Sequence, residues 1–138
     1  MKINKIIETV LYCDDVKEML DFYQDLFNFP ANKHLPRSVF LKCGENVLVI
    51  MNRSMTSQEN QLPPHHGATG AQHIALEVED SEYDEWKALF VKKGLPIEKE
   101  ITWDGHHGAR SFFFRDPAGN NIEIAEKKLW GSEIYEDK

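Results

Sequence analysis

The sequence places an acidic residue, Glu123, in the apolar run NNIEIAE, between Ile122 and Ile124. This run begins at the end of the turn sequence DPAGNN, and its alternation predicts a β-strand that is part of a buried sheet. A carboxylate in such a strand is costly unless a cation or hydrogen-bond donors pair with it. The rest of the chain must therefore supply a partner for Glu123.

Two other strand-like segments carry side chains of suitable chemistry. In HIALEV the large apolar residues Ile74, Leu76 and Val78 share one face and His73 lies on the other, and in IIETVLYC the same alternation places Glu8 opposite the helix-facing set. Two carboxylates and one imidazole, each on the face turned away from the helices, could bind one divalent cation between them. Zn, Mn, Fe(II) and Ni all suit such ligands, and the cation would pair with Glu123.

The chain contains an internal repeat. ETVLYCDD and HIALEVED are both strand-like, end in an acid pair, and are followed by an amphipathic helical pattern. Asp15 and Ser81 are the predicted N-caps of the two helices, and Gly94 is the predicted end of the second. Each helix is followed by a short strand and then by a hairpin whose turn contains glycine. The repeat predicts one strand, one helix and three strands, twice over.

The repeat divides the chain into four predicted segments. A first module covers residues 1–55, a polar linker 56–71, a second module 72–128 and a tail 129–138. The tail is expected to dock on its own chain or on a partner through its large apolar residues, which are Leu129, Trp130, Ile134 and Tyr135.

Charge and composition narrow the class of partner. The 138 residues carry a formal net charge of -7 and a pI near 5.3, which argues against nucleic acid or an anionic membrane as the partner. No segment is apolar enough for a signal peptide or a membrane span, so the sequence predicts a cytoplasmic protein. The two cysteines, Cys13 and Cys43, are predicted to be reduced residues of the core.

Three segments resemble the vicinal oxygen chelate superfamily, the glyoxalase/bleomycin resistance/dioxygenase group. They are LYCDDVKEMLDFYQDLFNF, GATGAQHIALEV and RSFFFRDPAGNNIEI, of which RDPAGNNIEI is the most specific. The resemblance covers residues 3–130. It implies an α+β fold of two βαβββ modules, with a mixed β-sheet that curls into a cup around a divalent metal ion.

The resemblance also implies a ligand set and an assembly. The family has up to four ligand positions, of which Glu8, His73 and Glu123 fill three, and Leu48 occupies the fourth when GENVLV is aligned with GNNIEI. Glu123 is a candidate catalytic base as well as a ligand. For Glu8, an ordinary exposed strand residue is the alternative interpretation. Chains of this size in the family usually form homodimers, in which Glu8 would come from one chain, and His73 and Glu123 from the other.

The implied substrate is a small molecule that chelates the metal through two vicinal oxygens, and the implied reaction is that of a lyase, an isomerase or a dioxygenase. No established activity of this family fits the residues of this chain fully. Glyoxalase I uses four protein ligands, extradiol dioxygenases use two histidines and one carboxylate, and fosfomycin-resistance enzymes need a basic phosphonate pocket. The alternatives are a metal-free protein that sequesters a drug, of the bleomycin-resistance type, and a small-molecule sensor.

Three residues are candidate contacts for the substrate: Arg110, Trp103 and Phe40. For Arg110 a structural salt bridge is the alternative interpretation. The histidine pairs in PPHHGATG and DGHHGAR are expected to be solvated, although either loop could bring one histidine to a substrate.

Overall fold

The structure, a computed structural model, describes residues 1–58 and 63–131 and divides the chain into two compact units. The first unit comprises residues 1–72 together with the turn 116–119, and the second comprises residues 73–115 and the chain from residue 120 onward. These limits describe compact units of the structure and are not the same as the predicted modules 1–55 and 72–128, whose boundaries stay a prediction.

The first unit is a four-stranded sheet with one long helix. Its strands lie in the order β1-β4-β3-β2, with β1 and β4 parallel and the other neighbours antiparallel. Its elements are β1 Glu8–Cys13, α1 Val16–Phe27, β2 Ala31–His34, β3 Ser38–Cys43, β4 Asn46–Asn52 and the short α2 Arg53–Thr56.

The second unit has the same plan. Its strands lie in the order β5-β8-β7-β6, with β5 and β8 parallel and the other neighbours antiparallel. The predicted α+β fold of two βαβββ modules is therefore confirmed. The elements are β5 His73–Val78, α3 Tyr83–Lys93, β6 Lys99–Trp103, β7 Ala109–Arg115 and β8 Asn121–Glu126, and single 3-10 turns lie at Asp80–Glu82 and Lys127–Trp130.

Two of the three predicted helix caps are confirmed. The Asp15 side chain accepts a hydrogen bond from the Glu18 amide at 3.1 Å, and Gly94 ends α3 with a φ of 68°. The prediction for Ser81 is wrong. Ser81 lies within a 3-10 turn, and α3 begins only at Tyr83, because this turn first satisfies the local amides through a backbone bond such as Glu82 N to Glu79 O.

In the first unit, one face of α1 packs against the apolar face of the sheet. The buried residues of the helix recur at helical spacing and are Val16, Met19, Leu20, Tyr23 and Leu26. Cys13 is buried and Cys43 half-buried, and both are free thiols, as predicted. Burial raises the pKa of the Cys13 thiol to about 11, so this residue behaves as an apolar core residue at neutral pH.

One buried hydrogen bond ties α1 to the turn 116–119. The Tyr23 hydroxyl, on a fully buried ring, donates to Asp116 Oδ2 at 2.8 Å. Tyr23→Phe is expected to lower the free energy of unfolding by about 1–3 kcal/mol, because the buried carboxylate loses a donor. Urea denaturation measures this change. Asp21→Asn, which breaks an exposed ion pair with Lys17 on the same helix, should change it by less than about 0.5 kcal/mol. Equal losses in the two variants would contradict the argument from burial.

The start of the tail docks on its own chain. Leu129 is buried with Ala109 and Ala125, and Trp103 packs against this cluster. Trp130 is 53% exposed. Docking is thus confirmed for Leu129, whereas Ile134 and Tyr135 lie outside the described residues. Within the described chain, no helix is long and apolar enough to cross a membrane.

Candidate metal centre

His73, the first residue of β5, is held by its neighbour on β8. Its Nδ1 lies 3.0 Å from the main-chain oxygen of Asn121 and 2.9 Å from Asn121 Oδ1. Because both oxygens are acceptors, the neutral ring carries its proton on Nδ1. The lone pair of Nε2 is then available to a metal, in the way that outer hydrogen bonds orient metal-binding histidines.

Glu123 lies beside His73 and is buried, with 6% of its surface exposed. Its Oε1 is 3.4 Å from His73 Nε2, and its Oε2 has no hydrogen-bond partner among the described residues. A neutral imidazole nitrogen and a carboxylate are both acceptors, so neither satisfies the other. A cation bound by both would compensate the buried charge, and these two side chains therefore fit a divalent metal.

The register of the strands defines a row of residues on the face of the sheet that carries Glu123. Ala75, Glu123, Phe113 and Lys99 are direct neighbours across the four strands of the second unit. The Phe113 ring stacks on His73, with centroids 6.3 Å apart. Trp103 lies on the same face by strand alternation. Its indole nitrogen donates a hydrogen bond to Ser111 Oγ at 2.8 Å.

Arg110 lies on the opposite face and forms the salt bridge that was the alternative interpretation. Its Nε is 3.3 Å from Glu126 Oε1, its Nη1 is 2.8 Å from Asp84 Oδ1, and its guanidinium stacks on Tyr83. These partners raise the pKa of the Arg110 guanidinium further above its usual value, and hydrogen bonding to Glu126 is the main cause. A substrate contact for Arg110 stays a prediction.

Glu8 lies in the first unit, where it is exposed at the start of β1. By strand alternation it shares a face with Tyr12, and Phe40 lies on the same face of β3 through the row Val10, Val49 and Phe40. The described residues of this single chain contain no group of three or more His, Cys, Asp or Glu side chains placed to hold a metal. Glu8 as a third ligand stays a prediction, which depends on a second chain.

The register corrects the fourth ligand position. Glu8 pairs with Val47 as His73 pairs with Asn121, so the counterpart of Glu123 in the first unit is Val49 and not Leu48. The strands β3 and β4 pair out to Cys43 and Asn46, whereas β7 and β8 stop at Arg115 and Asn121, so the second turn is longer. Aligning the two turns on their glycines therefore shifted the register. Val49 is also apolar, so the fourth position still offers no ligand.

The histidine pairs are only partly solvated. His65 and His107 are exposed, as expected. His66 is half-buried and forms a hydrogen bond between its Nδ1 and the Tyr12 hydroxyl, and His106 lies edge-on between Trp103 and Trp130. The sequence does not indicate a role for Tyr12, because its partner His66 is distant in the chain and no local pattern joins the two residues.

The two units repeat one strand order and one pattern of parallel and antiparallel pairing, as the paired modules of one superfamily would. The chain belongs to the Glyoxalase/Bleomycin resistance protein/Dioxygenase superfamily, whose family model matches residues 5–124. The resemblance in the sequence is thereby confirmed.

The chain is also similar to individual known proteins. The chain is similar to a lactoylglutathione lyase from Agrobacterium tumefaciens, with 37% identity, a TM-score of 0.88, and coverage of 95% of this chain and 99% of that one. The metallothiol transferase FosB of Staphylococcus saprophyticus is 22% identical over 80% of this chain and 68% of its own. The fosfomycin resistance protein FosX of Mesorhizobium loti shares the fold, with a TM-score of 0.63 and 18% identity. The match covers 99% of this chain and 100% of that one.

Proposed function

We propose that this protein is a divalent-metal-dependent enzyme, a lyase or isomerase in the first instance, whose small substrate presents two vicinal oxygens. The observation that carries the proposal is the pair formed by His73 and Glu123. Nδ1 of His73 is fixed by Asn121, Nε2 lies 3.4 Å from Glu123 Oε1, and the buried Oε2 lacks a hydrogen-bond partner in the described part of the chain. The similarity to a lactoylglutathione lyase supports a lyase or isomerase over a dioxygenase.

The protein's own groups have separate roles in this proposal. His73 and Glu123 hold the cation, and Asn121 keeps the His73 ring in the tautomer that offers Nε2. When bound, the cation would supply Lewis-acid stabilisation of negative charge on a substrate oxygen. Glu123, buried and 3.4 Å from the imidazole, is also the candidate group to accept a substrate proton.

We also propose that the ligand set is completed by Glu8 of a partner subunit in a homodimer. Glu8 is exposed at the start of β1, so its carboxylate is available to a second chain. A cation with three protein ligands keeps positions for two substrate oxygens, and the apolar Val49 leaves the fourth protein position empty.

The proposal is tested by elemental analysis of protein purified without chelators or a histidine tag, followed by titration with Zn, Mn, Fe(II), Co and Ni. The wild-type chain is expected to bind at least one of these ions. A change to a residue that only orients a metal ligand typically lowers metal affinity by about 10–100-fold. His73→Ala should lower it by more than this, because a direct ligand is lost.

His65→Ala is the matched control, because His65 is an exposed loop histidine. It should leave the metal affinity unchanged. If the wild type binds no ion more tightly than His73→Ala does, the metalloenzyme proposal fails, and drug sequestration or small-molecule sensing becomes the better account.

A further inference from the structure

A cavity of about 410 Å³ lies in the second unit, beside the candidate metal centre. Two of its lining residues, Phe113 and Asn121, are the ones that hold His73, the first by ring stacking and the second by hydrogen bonds to Nδ1. The other lining residues are Glu98, Lys99 and Ile101. A ligand group in this cavity would therefore lie next to the His73 ring.

The charges around the cavity do not cancel. Glu98 accepts hydrogen bonds from Arg115, at 2.7 Å from Nε and 3.2 Å from Nη2, and this pairing lowers the pKa of the Glu98 carboxyl. Lys99 is exposed, and its ammonium group has no ion pair or hydrogen bond within the described ranges 1–58 and 63–131. One positive charge at the cavity thus remains without a partner.

The strand register fixes where this charge lies relative to the metal centre. Glu123 pairs with Phe113, and Phe113 pairs with Lys99, so all three side chains project from the same face. Two strand spacings separate the α-carbons of Glu123 and Lys99, which is about 10 Å. The flexible four-carbon stem of lysine can bring the ammonium group to a ligand that lies across Phe113.

We propose that this cavity binds a carboxylate group of the substrate, with Lys99 as its counter-ion and with Phe113 and Ile101 as apolar walls. The substrate class is then a small carboxylic acid whose two vicinal oxygens are separated from the carboxylate by a short apolar linker. The vicinal oxygens rest on the proposed function, whereas the carboxylate subsite rests on the cavity and on Lys99. Lys99 is a specificity-determining residue in this account.

The subsite is tested first on the metal-free protein, by titration with phenylacetate and with its neutral analogue phenylacetamide, followed by amide NMR shifts. Phenylacetate is expected to shift the signals of Lys99 and Phe113 and to bind more tightly than phenylacetamide. Lys99→Met should weaken phenylacetate binding by about fivefold or more, because it removes the charge. Lys92→Met, a change of an exposed lysine on α3, should leave it unchanged. Equal binding of the two probes, or an unchanged affinity in Lys99→Met, would overturn the subsite.

A second titration, on protein loaded with a divalent ion, separates the subsite from the metal centre. It compares catechol with 3,4-dihydroxyphenylacetate, which adds a carboxylate to the same vicinal oxygens. His73→Ala should abolish binding of catechol and weaken binding of 3,4-dihydroxyphenylacetate to the level of phenylacetate, whereas Lys99→Met should abolish only the preference for the carboxylate. If neither chelator binds the loaded wild type while phenylacetate binding still depends on Lys99, the metal proposal fails and the carboxylate subsite stands. A preference that survives in Lys99→Met overturns the subsite.

Discussion

The Glu123→Met variant is expected to be more stable than the wild-type chain when no metal is present, and to gain nothing from added metal. In the wild type, the buried carboxylate keeps one oxygen without a hydrogen-bond partner in the described chain. Methionine has a similar length and removes that charge, so the free energy of unfolding should rise by about 1–3 kcal/mol. Urea denaturation with and without the bound ion measures both effects.

The wild type, unlike Glu123→Met, should become more stable when the ion binds. A cation that binds only the folded state adds about 4.1 kcal/mol to the free energy of unfolding at 1,000 times its dissociation constant, more than the gain of about 1–3 kcal/mol in Glu123→Met. A saturating ion should therefore reverse the order of stability of the two proteins.

Glu126→Met provides a matched control on the same strand. Glu126 is also buried, but its Oε1 accepts from the Arg110 amide at 2.6 Å, and it pairs with the Arg110 guanidinium. Its removal should lower the free energy of unfolding by about 2 kcal/mol, because the Arg110 amide loses its acceptor and the guanidinium loses one of its two carboxylate partners. If Glu123→Met is destabilising to the same extent, Glu123 is a structural residue of the core and its assignment as a ligand fails.

Metal binding is also expected to recover when two defective chains are combined. Alone, Glu8→Gln and His73→Ala should each bind metal weakly, because each lacks one proposed ligand. In a mixed dimer with sites shared between subunits, one site receives Glu8 from one chain and His73 with Glu123 from the other, and is intact. The second site lacks both changed residues.

This experiment uses co-expressed chains with two different tags, neither of them a histidine tag, and elemental analysis of the dimer that carries both tags. Recovery of about half of the wild-type metal content supports shared sites. No recovery in an isolated mixed dimer would place each site within one chain, and a strictly monomeric protein at micromolar concentration would rule out the shared site. Dimers in which both chains carry Glu8→Gln control for metal bound elsewhere.

Much of the fold follows from the sequence because its signals are local. Strand alternation has a period of two residues, so the apolar set around Glu123 already shows on which face the carboxylate lies. The caps at Asp15 and Gly94 depend only on residues within one helical turn. The repeat predicts the second unit from the first, and the structure confirms both.

The tertiary structure alone decided the features that depend on register and on distant partners. The counterpart of Glu123 is Val49, because the two hairpin turns differ in length, and a glycine alignment does not show where pairing stops. The partners of Arg110 are Asp84 and Glu126, 26 and 16 residues away. Lys99 joins the row of Glu123 only through the pairing of three strands. No local pattern in the sequence predicts that pairing, because residues that pair across strands are distant in the chain and leave no periodic signal.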